Sequence, residues 1–249
     1  MRHEVRRGAS DLRTFVSARR APEAKRVLDV AVAATALALL APLILLVALA
    51  VKLESRGPAF FRCRRVGVGG RPLWMLKFRK MRDGVGGPPL TAARDDRFTR
   101  IGHVLAKTKL DELPQLWNVL RGEMSLVGPR PEDPSIVDQQ RAEYMDILRV
   151  RPGITGLSQL AFANEAEILA SDDRLGDYVK RILPQKTRLD RLYVERRSLW
   201  MDVRILAWTA ATVILRKEAA VHRATGRLTP RQPRTVGMAA VSVSSSQGI

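Results

Sequence analysis

The residues best suited to chemistry in this chain are two adjacent acids, Asp111 and Glu112, within Lys107-Thr-Lys-Leu-Asp-Glu-Leu-Pro-Gln-Leu-Trp-Asn-Val-Leu120. A carboxylate can act as a nucleophile or hold a hard cation, but attack on a phosphate sets like charge against like. Such chemistry needs cations converging on the pair, and Lys107 and Lys109 stand just ahead of it. The same pair also reads as a plain helix start, where acids face the positive end of the dipole. Other reactive side chains are poorly grouped. His3, His103 and His222 lie far apart in sequence, which supports neither a histidine zinc site nor a serine–histidine triad. Cys63 is the single cysteine, sits in a basic run without a nearby histidine, and reads as a plain thiol. Gly67-Val-Gly-Gly70 lacks both the Gly-Lys-Ser/Thr ending of a P-loop and G-x-G-x-x-G spacing, so it reads as a turn.

The elements that must position these residues begin with an apolar segment. Val30–Val51 is 22 uncharged residues, a helix of roughly 33 Å if straight, against a bilayer core of about 30 Å. It is too long for a secretory signal and has no cleavage site after it. A buried soluble helix is the alternative, but 22 residues apolar all round rarely find enough core in 249. The formal charge of +18 is local to this segment: residues 1–110 carry 23 Lys+Arg and 8 acids, the remainder 20 and 17. Arg2, Arg6, Arg7, Arg13, Arg19, Arg20, Lys25 and Arg26 precede it, and residues 52–82 hold ten cations against Glu54. Two basic flanks conflict with the asymmetry expected of a span. Pro42 removes a backbone donor near the middle. A re-entrant hairpin fits all of this, and an ordinary proline-kinked span is the alternative. The positive charge is better matched to an anionic leaflet than to nucleic acid.

Elsewhere, Ala59–Val66 and Leu73–Arg79 predict a hairpin, residues 83–98 a surface loop, and Ile101–Arg121 a helical stretch interrupted at Pro114. Gly-Pro-Arg-Pro at 128–131 and Arg-Pro-Gly at 151–153 are rigid turns around a helix near Pro134–Val150. Residues 164–182 and 184–197 read as helices joined at Pro184. Leu199–Leu215 reads as a core or membrane-interface helix, with Trp200 and Trp208 on one face.

Five motifs occur in order: Lys-Phe-Arg-Lys-Met at 77–81, Thr-Arg-Ile-Gly at 99–102, Leu-Asp-Glu-Leu-Pro-Gln-Leu-Trp-Asn-Val-Leu at 110–120, Gly-Glu-Met-Ser-Leu-Val-Gly-Pro-Arg-Pro-Glu at 122–132, and Arg-Pro-Gly-Ile-Thr-Gly at 151–156. Together they resemble the bacterial sugar transferases, monotopic polyprenyl-phosphate phosphoglycosyl transferases in their small catalytic form, from about Lys25 to about Lys217. The resemblance implies an α+β, mainly helical fold: a basic flexible tail over 1–24, a re-entrant membrane hairpin over 25–54 broken at Ala41-Pro42, a catalytic domain over 55–217 and a disordered tail over 218–249. It also implies a chemistry. Asp111 is the nucleophile toward the β-phosphate of a nucleotide diphosphate sugar, usually a UDP-sugar, and undecaprenyl phosphate or another polyprenyl phosphate accepts the phosphosugar. Mg²⁺ would be held by Asp111, with Glu112 as proton or metal partner. Lys77, Arg79 and Arg130 match basic positions assigned here to phosphate and nucleotide.

The expected setting is the cytoplasmic face of a bacterial inner membrane, on anionic lipid, at the start of a lipid-linked glycan. A homodimer through Leu199–Leu215 stays open. Two departures stand out. Ala106-Lys-Thr-Lys109 lacks the Arg and Ser that often precede Leu-Asp-Glu in the family it resembles, and Ala163 stands where that family often has an Arg, with Lys186 one candidate substitute. A membrane-anchored binding module or an inactive scaffold is therefore the competing reading.

Overall fold

In the computed structural model, residues 2–82, 84, 95–163, 174–215, 217 and 219–230 are described, with side chains from Glu23 onward except at Arg174 and Leu175. The fold is mainly helical with three two-stranded sheets among the described residues. Helix α1 (Arg2–Glu54) carries helical backbone through the segment expected as a tail and across Ala41-Pro42, so no break is seen at Pro42. The hairpin of β1 (Phe60–Val66) and β2 (Pro72–Phe78) follows, antiparallel, with Phe61 opposite Lys77 and Val66 opposite Pro72. Its turn contains Gly69 and Gly70 at positive φ, as the glycine cluster predicts.

Helix α2 (Arg100–Thr108) starts at an N-cap, Thr99, whose hydroxyl accepts from Gly102 N at 2.9 Å. It ends at Lys109, which adopts φ 60°, the one non-glycine residue at positive φ among those described. The helical stretch expected over Ile101–Arg121 is therefore broken at Lys109, ahead of Pro114, and the 3₁₀ turn Leu110–Glu112 leads into α3 (Gln115–Leu120). Strand β3 (Ser125–Val127) pairs in parallel with β4 (Gly153–Thr155), stitching together the two rigid turns of the sequence. Between them the expected single helix is instead α4 (Pro134–Gln139) and α5 (Arg141–Tyr144), broken at Gln140, then a 3₁₀ turn.

After α6 (Leu157–Ala161), helix α7 (Arg174–Asp177) runs through a π turn (Tyr178–Ile182) into α8 (Leu183–Arg196). Pro184 follows directly on the π turn, at the start of α8. Helix α9 (Leu199–Leu215) buries Asp202 and Ile205 while Trp200 is 71% exposed, so it is a core helix on one face only. Strands β5 (Ala219–Val221) and β6 (Leu228–Pro230) then form a hairpin, a correction to the boundary expected at 218. Composition hides it because its order comes from tertiary burial: Ala219 and Leu228 join the main core, and Gly226 at φ 68° closes the turn. Residues 231–249, and most of the 83–98 loop, lie outside the described residues.

Both ends of the apolar segment grip the same folded body. At the N-terminal end, Asp29 accepts from Ser125 Oγ at 2.7 Å and Leu126 N at 3.1 Å. Beside it, Arg26 donates to the carbonyls of Val119 and Leu120, and Lys25 pairs with Asp202 at 2.8 Å. At the other end, Val47 and Val51 pack with Phe78 and Leu105, and Glu54 accepts from Ile101 N at 3.1 Å. Between these anchors Leu39, Leu45, Leu46 and Leu49 are exposed, Leu39 to 75%.

Candidate active site

The site is assembled from three elements. On β2, Leu73, Met75 and Lys77 share one face by the period of two; the first two are buried, so Lys77 is carried to the edge of the interior. The left-handed Lys109 ends α2 abruptly and turns the next residues inward, placing Asp111 and Glu112 side by side in the 3₁₀ turn. Arg130 lies in the loop after β3, which is clamped: Gly128 N donates to Thr155 O at 2.9 Å and Gly153 N to Pro129 O at 2.8 Å. A Cβ on Gly153 would lie 2.1 Å from Gly128 N, so glycine is required for this close approach.

These elements bring two acids and three cations together. Glu112 Oε1 accepts from Lys77 Nζ at 2.9 Å and from Arg130 Nη2 at 3.2 Å. Asp111 is 2% exposed, and its Oδ2 lies 3.1 Å from Lys80 Nζ. Burial alone would raise the Glu112 pKa, but the charges of Lys77 and Arg130, the Lys77 hydrogen bond and the charge of Lys109 outweigh it. The carboxyl is held well below the usual range. Burial lowers the Lys77 pKa; Arg130 and Lys80 add to that, while Glu112 and Asp111 oppose it. Three cations against two carboxylates leave a positive surplus. Such a surplus suits a phosphate-bearing ligand.

Of the residues expected from sequence, Asp111, Glu112, Lys77 and Arg130 converge here. Arg79 does not, and this is a correction. Its guanidinium donates to the carbonyls of Arg56, Ser55 (2.8 Å) and Val51 (3.4 Å), capping the C-terminal end of α1. Alternation would keep Lys77 and Arg79 on one face, but β2 ends at Phe78 and the chain turns toward α1. Ala41 and Pro42 are helical within α1. Lys80 is the residue that sequence reasoning missed. It lies in the same basic run, but nothing in the spacing says that it reaches Asp111.

Behind Arg130 lies a buried polar group. Glu132 accepts from Tyr178 Oη at 2.6 Å and pairs with Lys186 at 3.6 Å, Lys186 donates to Tyr178 Oη at 3.1 Å, and Ser158 Oγ donates to Asp190 at 2.7 Å. Lys186, weighed as a stand-in for the arginine absent at Ala163, is 3% exposed and engaged within this group.

A largely buried carboxylate pair ringed by cations, on a body whose N-terminal helix is apolar and mostly exposed, suits an enzyme that handles phosphate. Residues 20–216 match the family described as bacterial sugar transferase, and the chain belongs to that family. It is 44% identical over 195 residues to the UDP-glucose:undecaprenyl-phosphate glucose-1-phosphate transferase of Caulobacter vibrioides, covering 76% of this chain and 69% of that one. It is 40% identical to the UDP-N-acetylgalactosamine-undecaprenyl-phosphate N-acetylgalactosaminephosphotransferase of Aeromonas hydrophila, over 76% of this chain and 43% of that protein. The exopolysaccharide production protein PSS of Rhizobium leguminosarum is 37% identical over 77% of this chain and 96% of its own length. The chain spans less than half the length of the Aeromonas relative.

Proposed function

We propose that the protein transfers a phosphosugar from a nucleotide diphosphate sugar of the UDP class to undecaprenyl phosphate, through a phosphosugar–aspartate on Asp111, to begin a lipid-linked glycan. The observation that carries this is the cation-ringed pair: a nearly buried Asp111 beside Glu112, Lys77, Lys80 and Arg130. In the first step Asp111 forms a bond to the β-phosphorus. The bond from that phosphorus to the bridging oxygen breaks, and its electron pair leaves with the nucleoside monophosphate. In the second step an oxygen of the lipid phosphate attacks the same phosphorus and restores the carboxylate. Neither step requires a proton from Glu112, which is ionised and holds Lys77 and Arg130 in place. Those two cations, with a hydrogen-bond donor fork on Arg130, are the phosphate contacts.

Among the described residues no three His, Cys, Asp or Glu side chains cluster to hold a metal unaided. The donor set still fits Mg²⁺ held by Asp111 together with substrate phosphate oxygens, since that ion commonly takes one or two carboxylates and keeps its other ligands from substrate or water. When bound there it would neutralise phosphate charge in the transition state.

We further propose that α1 dips into one leaflet and returns, bending at Pro42 in the membrane, with the site on the cytoplasmic face. Supporting this are the two basic flanks and the anchoring of Lys25, Arg26 and Asp29 at one end, and Val51 and Glu54 at the other, on one folded body. A span would separate those ends by about 30 Å of hydrocarbon. The deciding assay incubates the protein in membranes with a panel of UDP-sugars, undecaprenyl phosphate and Mg²⁺, and follows UMP release. Wild type is expected to release UMP and Asp111→Asn none; equal release from both would sink the reading. Binding without turnover in either protein would favour a scaffold.

A further inference from the structure

Lys80 gives Asp111 the ion pair that a carboxylate only 2% exposed requires, and among the described residues Asp111 has no other. The position of Lys80 is tightly set. Its carbonyl accepts from Thr99 N at 3.1 Å, and a Cβ on Gly102 would fall 1.9 Å from that oxygen, so the start of α2 lies directly on the Lys80 backbone. The ammonium also stands 5.6 Å over the Phe98 ring, which packs edge-on with His103. Lys77 and Arg130 both pair with Glu112, whereas Lys80 pairs with the other acid and keeps a quarter of its side chain exposed.

We infer that Lys80 is a positioning residue for the nucleophile: it holds Oδ2 of Asp111 so that Oδ1 meets the phosphorus, and then turns its charge to the transferred phosphoryl group. The inference rests on Asp111 being the nucleophile. As the Asp111–phosphorus bond forms and the pair on the bridging oxygen departs with the nucleoside monophosphate, Asp111 becomes an acyl phosphate and loses its charge. The ammonium is then left beside the phosphoryl oxygens, without having given up or gained a proton. The second step restores the carboxylate, and with it the ion pair. A group used this way contributes to turnover rather than to donor binding.

The test compares full-length wild type, Lys80→Met, Lys80→Arg and Asp111→Asn in vesicles, by UMP release and by thermal melting. For Lys80→Met the expected result is kcat lowered about 100-fold, the size typical of losing one preorganised charge contact, with KM for the UDP-sugar within about threefold of wild type. Lys80→Arg should recover at least a tenth of wild-type kcat and melt near wild type, whereas Lys80→Met, which leaves the buried Asp111 without its ion pair, should melt lower. A wild-type kcat in Lys80→Met, or a loss confined to KM, overturns the inference. Should Lys80→Met fail to fold, Lys80→Gln takes its place under the same two criteria. If Asp111→Asn itself turns over, the nucleophile reading fails first; if it is dead while the Lys80 variants are normal, only the Lys80 role fails.

Discussion

At the scale of single residues, the site is a case of buried charge made tolerable by opposite charge. Glu112 is ionised because Lys77 and Arg130 bond it, and removing one partner leaves the other ions desolvated. Arg130→Ala should therefore raise KM for the UDP-sugar and lower the melting temperature, whereas Arg130→Lys should keep the fold and lose the bidentate phosphate contact; UMP release with a donor titration separates the two. Asp190 makes the opposite point. Burial, opposed by the Ser158 hydrogen bond and the Lys186 charge, pushes its pKa up to about 7. Below about pH 4 the folded and unfolded chains both keep this proton, and the group is neutral in the balance. As pH rises toward 7 the unfolded chain releases the proton and the folded chain holds it, so stability falls across that window. Asp190→Asn should flatten the decline in melting temperature between pH 5 and 7; an unchanged slope in calorimetry would count against a raised Asp190.

At the scale of elements, the interruption at Lys109 matters more than the helices on either side of it. Its left-handed backbone directs Asp111 inward, and Gly102 lets the other end of α2 rest on Lys80. Gly102→Ala places a methyl inside that contact. A loss of roughly 2 kcal/mol or more is expected from overpacking, with a fall in turnover as Lys80 shifts; a variant that melts like wild type would show that α2 can slide. Arg79 works at this scale too, joining the end of α1 to the strand that carries Lys77. Arg79→Met should loosen α1 and destabilise the protein without erasing turnover, since the guanidinium does not reach the acids; an unaltered melting temperature would deny it the capping role.

For the whole molecule, the exposed leucines of α1 lie between anchors on the body that holds the acid pair. In the proposed function this arrangement brings the lipid phosphate and Asp111 to one interface. In a Cys63→Ser background, Glu23→Cys and Arg56→Cys should both be labelled by an impermeant reagent in inverted vesicles and both be protected from it in intact spheroplasts. Labelling from opposite sides would establish a span.

The apolar length of Val30–Val51 and the ordered motifs already determined the class of protein, a helix long and apolar enough to enter a membrane, and the adjacency of the two acids, because these depend on composition and local spacing. The β-hairpin and the rigid turns around Arg130 were legible for the same reason, since glycine and proline act locally. Tertiary structure alone decided which cations reach the acids: Lys77 and Arg130 do, Arg79 caps α1, and Lys80, unmarked in sequence, meets Asp111. It also decided the hairpin at 219–230, whose polar sequence is held by a buried Ala219 and Leu228. An ion pair or a packed methyl between residues tens of positions apart leaves no periodic trace in the chain. Only the folded backbone determines which of many basic side chains stands within 3.1 Å of a buried carboxylate.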